Sequence, residues 1–148
     1  MIEAIPTPSE HRFVAVIEDD PVQAELISCA FSEAGFRIPI ETISDGEEAM
    51  RQLYAWFDGD CQRRPSLVLL DIRLPRLSGL EVLGQLRERF GEPPFPIIIL
   101  TSSKLPNDLV DAFSGGAVSY FVKPLGFNAL VELVDRVGRR WLDAPNLK

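Results

Sequence analysis

The chain has 148 residues, 46% hydrophobic and 25% charged, the make-up of one globular domain with a full apolar core. Two cysteines, Cys29 and Cys61, exclude a disulfide framework and a cysteine-rich zinc site, and the single histidine, His11, in a polar, proline-containing arm, argues against a histidine-based metal centre and Ser-His-Asp catalysis. A net charge of −7 opposes binding to nucleic acid or to an anionic membrane surface.

Residues 1–11 contain Pro6 and Pro8 among polar neighbours and read as a flexible arm. They lack the basic start and apolar stretch of a signal peptide. No apolar run approaches the roughly 20 residues needed to span a bilayer. A soluble, cytoplasmic domain over 12–142 is expected, followed by a short tail over 143–148.

The first apolar run, 13–17, predicts a buried strand. A helix follows over 21–34, with Asp19 or Asp20 as cap and Pro21 in its first turn. A second strand is expected over 38–43, and Ser44-Asp45-Gly46 turns into a helix over 47–57. The stretch 58–65 is a polar loop. A third strand occupies 67–70, and a helix runs over 78–90 until Gly91 and two prolines break it. The fourth strand, 97–100, is wholly apolar. A weaker helix spans 107–114, a fifth strand 119–122, and a last helix 127–141. On that helix Phe127, Leu130, Val134, Val137 and Trp141 recur at helical spacing and are mostly core.

Strands that are apolar on both faces belong to a parallel sheet covered by helices on each side. Five strand–helix pairs therefore predict a doubly wound (βα)5 α/β sandwich, whose ligands lie beyond the carboxyl ends of the strands. Those ends carry Glu18-Asp19-Asp20, Asp71, Thr101-Ser102-Ser103 and Lys123-Pro124. Carboxylates gathered in one crevice repel one another by several kcal/mol at short range. Lys123 offsets part of this, and a hard cation held by oxygens, Mg²⁺ by preference, would offset more. A carboxylate beside Mg²⁺, a hydroxyl and a lysine suits attack on phosphorus to give an acyl phosphate. Thr101 can hydrogen-bond the new group, and the small Ser102 leaves it room. Each feature alone has an ordinary reading as a helix cap, turn residue or loop. Their joint placement, each at the end of a different strand, favours the functional one.

At Val16-Ile17-Glu18-Asp19-Asp20-Pro21, Leu69-Leu70-Asp71-Ile72-Arg73-Leu74-Pro75 with Gly79 following, Ile99-Leu100-Thr101-Ser102 and Tyr120-Phe121-Val122-Lys123-Pro124, the sequence resembles a response-regulator receiver domain. The resemblance extends over 13–141. It implies a flavodoxin-like sheet of strand order 2-1-3-4-5 and Asp71 as the phosphoacceptor. It implies Asp19, Asp71 and the Arg73 backbone carbonyl as direct Mg²⁺ ligands, with Glu18 acting through water. Thr101 would be the switch hydroxyl, Lys123 the phosphate-binding lysine and Tyr120 the aromatic that follows the threonine. The Lys123–Pro124 peptide would be cis, a geometry tolerated only before proline. Asp20 reads as cap and field. The Arg73 side chain could reach the phosphoryl group, reach a neighbouring acid, or lie in solvent.

Within the family the chain resembles the stand-alone group typified by cyanobacterial phytochrome response regulators. The shared features are the polar loop before Pro65, the run from Arg64 to Asp71, Leu100-Thr101-Ser102-Ser103 and the closing Trp141-Leu142. That implies a histidine kinase as donor, a bacteriophytochrome among the candidates. Output is expected through binding, to a partner, to the kinase itself, or to a second copy by way of helix four, strand five and helix five, with Trp141 and Leu142 as a candidate extension of that last contact. The chain is not expected to be an enzyme beyond losing its own phosphoryl group. Two alternatives are an Asp-nucleophile, metal-dependent phosphatase, which Arg73 disfavours, and an interaction module independent of phosphorylation. Cys29 reads as a helix packing residue, Cys61 as a loop thiol and His11 as solvated.

Overall fold

A computed structural model describes residues 12–59 and 63–142. The expected arm, the tail, His11 and Cys61 lie outside the described residues. Strands and helices alternate in the order β1 Val14–Ile17, α1 Pro21–Glu33, β2 Ile40–Ile43, α2 Gly46–Asp58, β3 Leu67–Leu70, α3 Gly79–Phe90, β4 Ile97–Thr101, α4 Pro106–Ser114, β5 Ser119–Val122 and α5 Phe127–Trp141. All strand pairs are parallel and the order is β2-β1-β3-β4-β5. This is the doubly wound sheet that the apolar runs and the resemblance predict. No described helix is long and apolar enough to cross a membrane.

The central strands β1, β3 and β4 are buried along their whole length. Their alternating side chains feed two cores, as the period of two requires. Ala15, Ile17, Val68, Leu70, Ile97 and Ile99 pack with Leu53 of α2 and with Leu83 and Leu86 of α3. Val14, Val16, Leu67, Leu69, Ile98 and Leu100 pack with Ile27 and Phe31 of α1 and with Val134 of α5. Each Val, Leu, Ile and Phe among them contributes about 1.5–3 kcal/mol by leaving water. The sheet is thus a rigid floor whose carboxyl ends share one rim.

Helices α1, α2 and α3 start where polar side chains supply missing acceptors. Asp20 accepts from the Val22 N–H at 2.9 Å, Asp45 from Glu48 at 2.8 Å and Ser78 from Glu81 at 3.2 Å. The cap of α1 is therefore Asp20 rather than Asp19, and Ser78 precedes α3 instead of opening it. Strand β2 begins at Ile40, not 38, because Pro39 has no N–H to give; its carbonyl accepts from Val14 at 2.9 Å.

Two expectations about packing are corrected. Cys29 is exposed on the outer face of α1, because the helical period turns Ala24, Ile27, Ala30 and Phe31 inward instead. Leu142 folds back into the α1–α5 core, 8% exposed, and Trp141 packs partly against the same cluster. Leu142 is thus taken up within its own chain, while Trp141 keeps part of its ring exposed. Exposed large apolar side chains include Leu109, Val110 and Phe113 on α4, whose only buried residue is Ala112, Val122 on β5 and Val22 on α1.

Candidate functional site

Parallel pairing brings the strand ends into register. Ile17 lies beside Leu70, so Glu18 follows β1 at the level where Asp71 follows β3. Thr101 ends β4 opposite Val122, and Lys123 comes next. The Asp71 N–H donates to the Ile17 carbonyl at 3.0 Å and the Lys123 N–H to the Thr101 carbonyl at 2.7 Å, so main-chain bonds carry these residues to the rim.

The Asp71 carboxylate is 5% exposed and held at both oxygens. Its Oδ1 accepts from the Thr101 hydroxyl at 2.7 Å and from the Arg73 N–H at 3.2 Å. Its Oδ2 accepts from Lys123 Nζ at 2.8 Å. Lys123 also donates to Glu18 Oε1, and Glu18 Oε2 accepts from the Asp20 N–H at 3.2 Å. Carboxylate oxygens of Glu18, Asp19 and Asp71 come within 4.8 Å of one another. Asp19 itself is exposed at the mouth.

One ammonium cannot neutralise two buried carboxylates. Burial pushes the Glu18 carboxyl up to about 7, and the bonds from Lys123 and the Asp20 amide offset only part of that. Burial acts on Asp71 in the same direction, but Lys123, Thr101 and the Arg73 N–H together outweigh it and hold Asp71 below its ordinary value. Burial would likewise lower Lys123, and the two carboxylates outweigh it and raise the lysine. Of the two carboxylates, Asp71 is the one whose ionisation the surrounding donors favour, and Glu18 the one whose ionisation burial opposes.

The loop between Asp71 and α3 is fixed by two close approaches. A Cβ at Gly79 would stand 2.1 Å from the Asp71 carbonyl oxygen, and one at Gly46 would stand 1.7 Å from that of Leu77. Neither position accepts a side chain. Between them the Pro75 carbonyl accepts from both Leu77 and Gly46, at 2.9 and 3.1 Å. Arg76 takes φ 73°, a strained value for a residue with a Cβ. The strain sits next to the site, in the loop that carries Arg73.

The crevice has a volume of about 700 Å³, with Glu18, Asp19, Asp71, Ser102 and Lys123 among its lining residues. Ser102 is exposed and is one of these lining residues. Arg73 is exposed and lines the crevice, and its backbone N–H, not its side chain, is what bonds to Asp71. Tyr120 is half-buried, and its hydroxyl donates to the Ser103 carbonyl at 2.9 Å. Asp20 serves as cap and as part of the acidic wall.

The expected cis geometry at Pro124 is overturned, since no peptide bond among the described residues is cis. The trans form before proline is lower by about 0.5–1 kcal/mol. From it Lys123 already reaches both carboxylates, so no contact calls for the other isomer. Pro124 still lines the crevice. Sequence reasoning missed Gln23 and Lys104 in the lining. It also missed how Ser103 is tied. Ser103 is 2% exposed and its hydroxyl bonds to Asp108. Helical position could have found Gln23, two residues past Pro21 in the first turn of α1. The partners of Ser103 carry no sequence signal.

The family model of the response regulator receiver domain matches residues 14–135. The probable methanogenesis regulatory protein FilR2 of Methanothrix harundinacea is 36% identical over 129 residues, covering 87% of this chain and 83% of that protein. The crystal structure of the phosphorylated cyanobacterial phytochrome response regulator RcpA matches with a TM-score of 0.75 at 25% identity, over 89% of this chain and 94% of that one. The receiver domain of the sensor histidine kinase PA1611 from Pseudomonas aeruginosa PAO1, with a magnesium ion coordinated in its active-site cleft, matches with a TM-score of 0.65 at 26% identity, over 88% and 97% of the two chains. Several other curated relatives, transcriptional regulators among them, are about twice as long, and the chain spans about half of each. The family match along the domain and a relative covered over most of its length agree with the fold and the acidic crevice: this chain belongs to the response regulator receiver domains of two-component systems.

Proposed function

We propose that the chain accepts a phosphoryl group on Asp71 from a histidine kinase, in a Mg²⁺-dependent reaction, and signals through changed protein–protein contact. The observation that carries this reading is the grip on one buried carboxylate: Thr101 and the Arg73 N–H on Oδ1, Lys123 on Oδ2. These donors fix the orientation of Asp71 and keep it anionic at neutral pH. An Asp71 oxygen attacks phosphorus, the phosphorus–nitrogen bond to the donor imidazole breaks, and its electron pair goes to the imidazole nitrogen, which takes up a proton. Asp71 is left as an acyl phosphate. Lys123 and the Thr101 hydroxyl then turn to the phosphoryl oxygens, and Ser102 leaves them space.

The hard oxygen donors fit Mg²⁺. Asp19, Asp71 and the Arg73 carbonyl would hold it directly and Glu18 through water. When bound, the ion supplies positive charge to the phosphoryl oxygens. The magnesium ion in the PA1611 receiver supports this assignment. Likeness to RcpA supports a phytochrome kinase as the donor. Arg73 two residues past Asp71, where a phosphatase of this type commonly has its second acid, supports an acceptor and not an enzyme acting on separate substrates. Exposed Leu105 at the N-cap of α4, Leu109, Val110 and Phe113 on α4, Val122 on β5 and Phe127 on α5 offer apolar surface for output, to a partner or a second copy.

The test is phosphotransfer from candidate kinases, phytochrome kinases included, and from acetyl phosphate, with Mg²⁺ or a chelator. Intact mass should show one adduct in the wild type, none in Asp71→Asn and little without the metal. A wild-type protein that stays unmodified while folded, or an adduct that survives Asp71→Asn, refutes the reading.

A further inference from the structure

Helix α4 is held to the domain by little. Ala112 is its only buried residue, while Leu109, Val110 and Phe113 face outward. Its N-cap position is Leu105, which offers no side-chain acceptor to the first turn. What fastens that turn is Ser103, two residues upstream and 2% exposed. The Ser103 hydroxyl bonds to Asp108, in the first turn of α4, and accepts from the Leu105 N–H at 3.3 Å. Asp108 is the acidic residue of that turn, where the helix dipole favours negative charge.

Ser103 is also joined to the crevice. Its N–H donates to Thr101 Oγ1 at 3.4 Å, and the same Thr101 hydroxyl donates to Asp71 at 2.7 Å. The Ser103 carbonyl accepts from Tyr120. One buried residue is therefore bonded to the hydroxyl next to Asp71, to the aromatic of β5 and to the first turn of α4. Of these links, the bond to Asp108 is the one that reaches a helix with almost no burial of its own.

We propose that Ser103 and Asp108 are positioning residues that transmit the state of Asp71 to α4. This inference rests on Asp71 as the phosphoacceptor. When Thr101 turns from the carboxylate to a phosphoryl oxygen, the Ser103 amide bonded to it moves with it. The Ser103 hydroxyl then carries Asp108 and the first turn of α4 along, and the exposed apolar face of α4 changes its presentation. Without the hydroxyl, phosphorylation proceeds and α4 does not register it. Neither residue touches Asp71, so the chemistry at the crevice is left intact.

Hydrogen exchange of the α4 amides, read before and after acetyl phosphate with Mg²⁺, tests this, with adduct mass read in the same samples. In the wild type, exchange at Asp108 and Leu109, whose N–H groups bond the Leu105 carbonyl, changes on phosphorylation. In Ser103→Ala and Asp108→Ala those amides exchange about tenfold faster in the unmodified protein, the size expected for loss of a hydrogen bond to a charged group. The change on phosphorylation disappears, while the adduct forms at the wild-type rate. Asp108→Asn, which retains a carbonyl acceptor, restores the response. An adduct in Ser103→Ala with a wild-type response of α4 overturns the inference and leaves the proposed function standing. The same holds if Asp108→Asn fails to restore the response. Absence of any adduct in the wild type overturns both. A Ser103→Ala protein that does not fold moves the test to Asp108→Ala and Asp108→Asn, whose partly exposed position tolerates change.

Discussion

Glu18 makes the metal-free protein less stable as pH rises through the weakly acidic range. Its carboxyl is buried and pushed up to about 7 in the folded state, against 4.5 for a solvated glutamate. Between these values the folded chain holds a proton that the unfolded chain has released, so folding stability falls with rising pH. The contribution is fully present below 4.5 and is lost by the time pH passes 7. At about 1.4 kcal/mol per pH unit the loss is on the order of 3 kcal/mol, a large share of the roughly 5–15 kcal/mol that holds a domain together. The partners act in other windows. Asp71 is held below its ordinary value, so its contribution is lost only in stronger acid, and Lys123 is raised, so its contribution is lost only at high pH. Mg²⁺ favours the ionised carboxylates and reverses the trend. Urea unfolding at pH 5, 6, 7 and 8 in EDTA should show the midpoint falling with constant slope. Glu18→Gln should flatten the profile, and Mg²⁺ should raise the midpoint most at pH 8. A flat profile in EDTA, or an undiminished slope in Glu18→Gln, refutes the assignment of the retained proton.

Removal of the Lys123 charge by Lys123→Met leaves Glu18 and Asp71 facing each other without a cation; the cost should be about 3 kcal/mol at pH 8 and smaller at pH 5, by urea unfolding in EDTA, and phosphotransfer should slow. Gly79→Ala puts a methyl 2.1 Å from the Asp71 carbonyl and should destabilise by roughly 1–3 kcal/mol or more, whereas Gly84→Ala, with nothing within 4 Å, should stabilise α3 by up to about 1 kcal/mol. Thermal melts of the two variants moving in the same direction would contradict the close approach at Gly79. Arg76→Val forces a β-branched side chain into φ 73° and should cost about 1–2 kcal/mol, while Arg76→Gly should be near neutral in the same melts.

The number and kind of elements were legible in the sequence because they rest on local pattern. The both-faces-apolar runs at 67–70 and 97–100 are central strands, and Asp20, Asp45 and Ser78 cap helices with their own side chains. The acids and the lysine of the crevice were legible for the same reason: a parallel sheet delivers whatever follows its strands to one rim. What each of them does there was decided by tertiary structure. Lys123 meets Asp71 and Glu18 across 52 and 105 residues of chain, and which carboxylate keeps the proton depends on how burial and donors divide between them. The trans bond at Pro124, the exposure of Cys29, the inward turn of Leu142 and the joining of Ser103 to α4 depend likewise on distances between packed segments. Local propensity carries no information about those distances. Which groups stand at the rim follows from the residues that trail each strand; which of them is gripped, and which helix is fastened to it, follows from segments that meet only when the chain is packed.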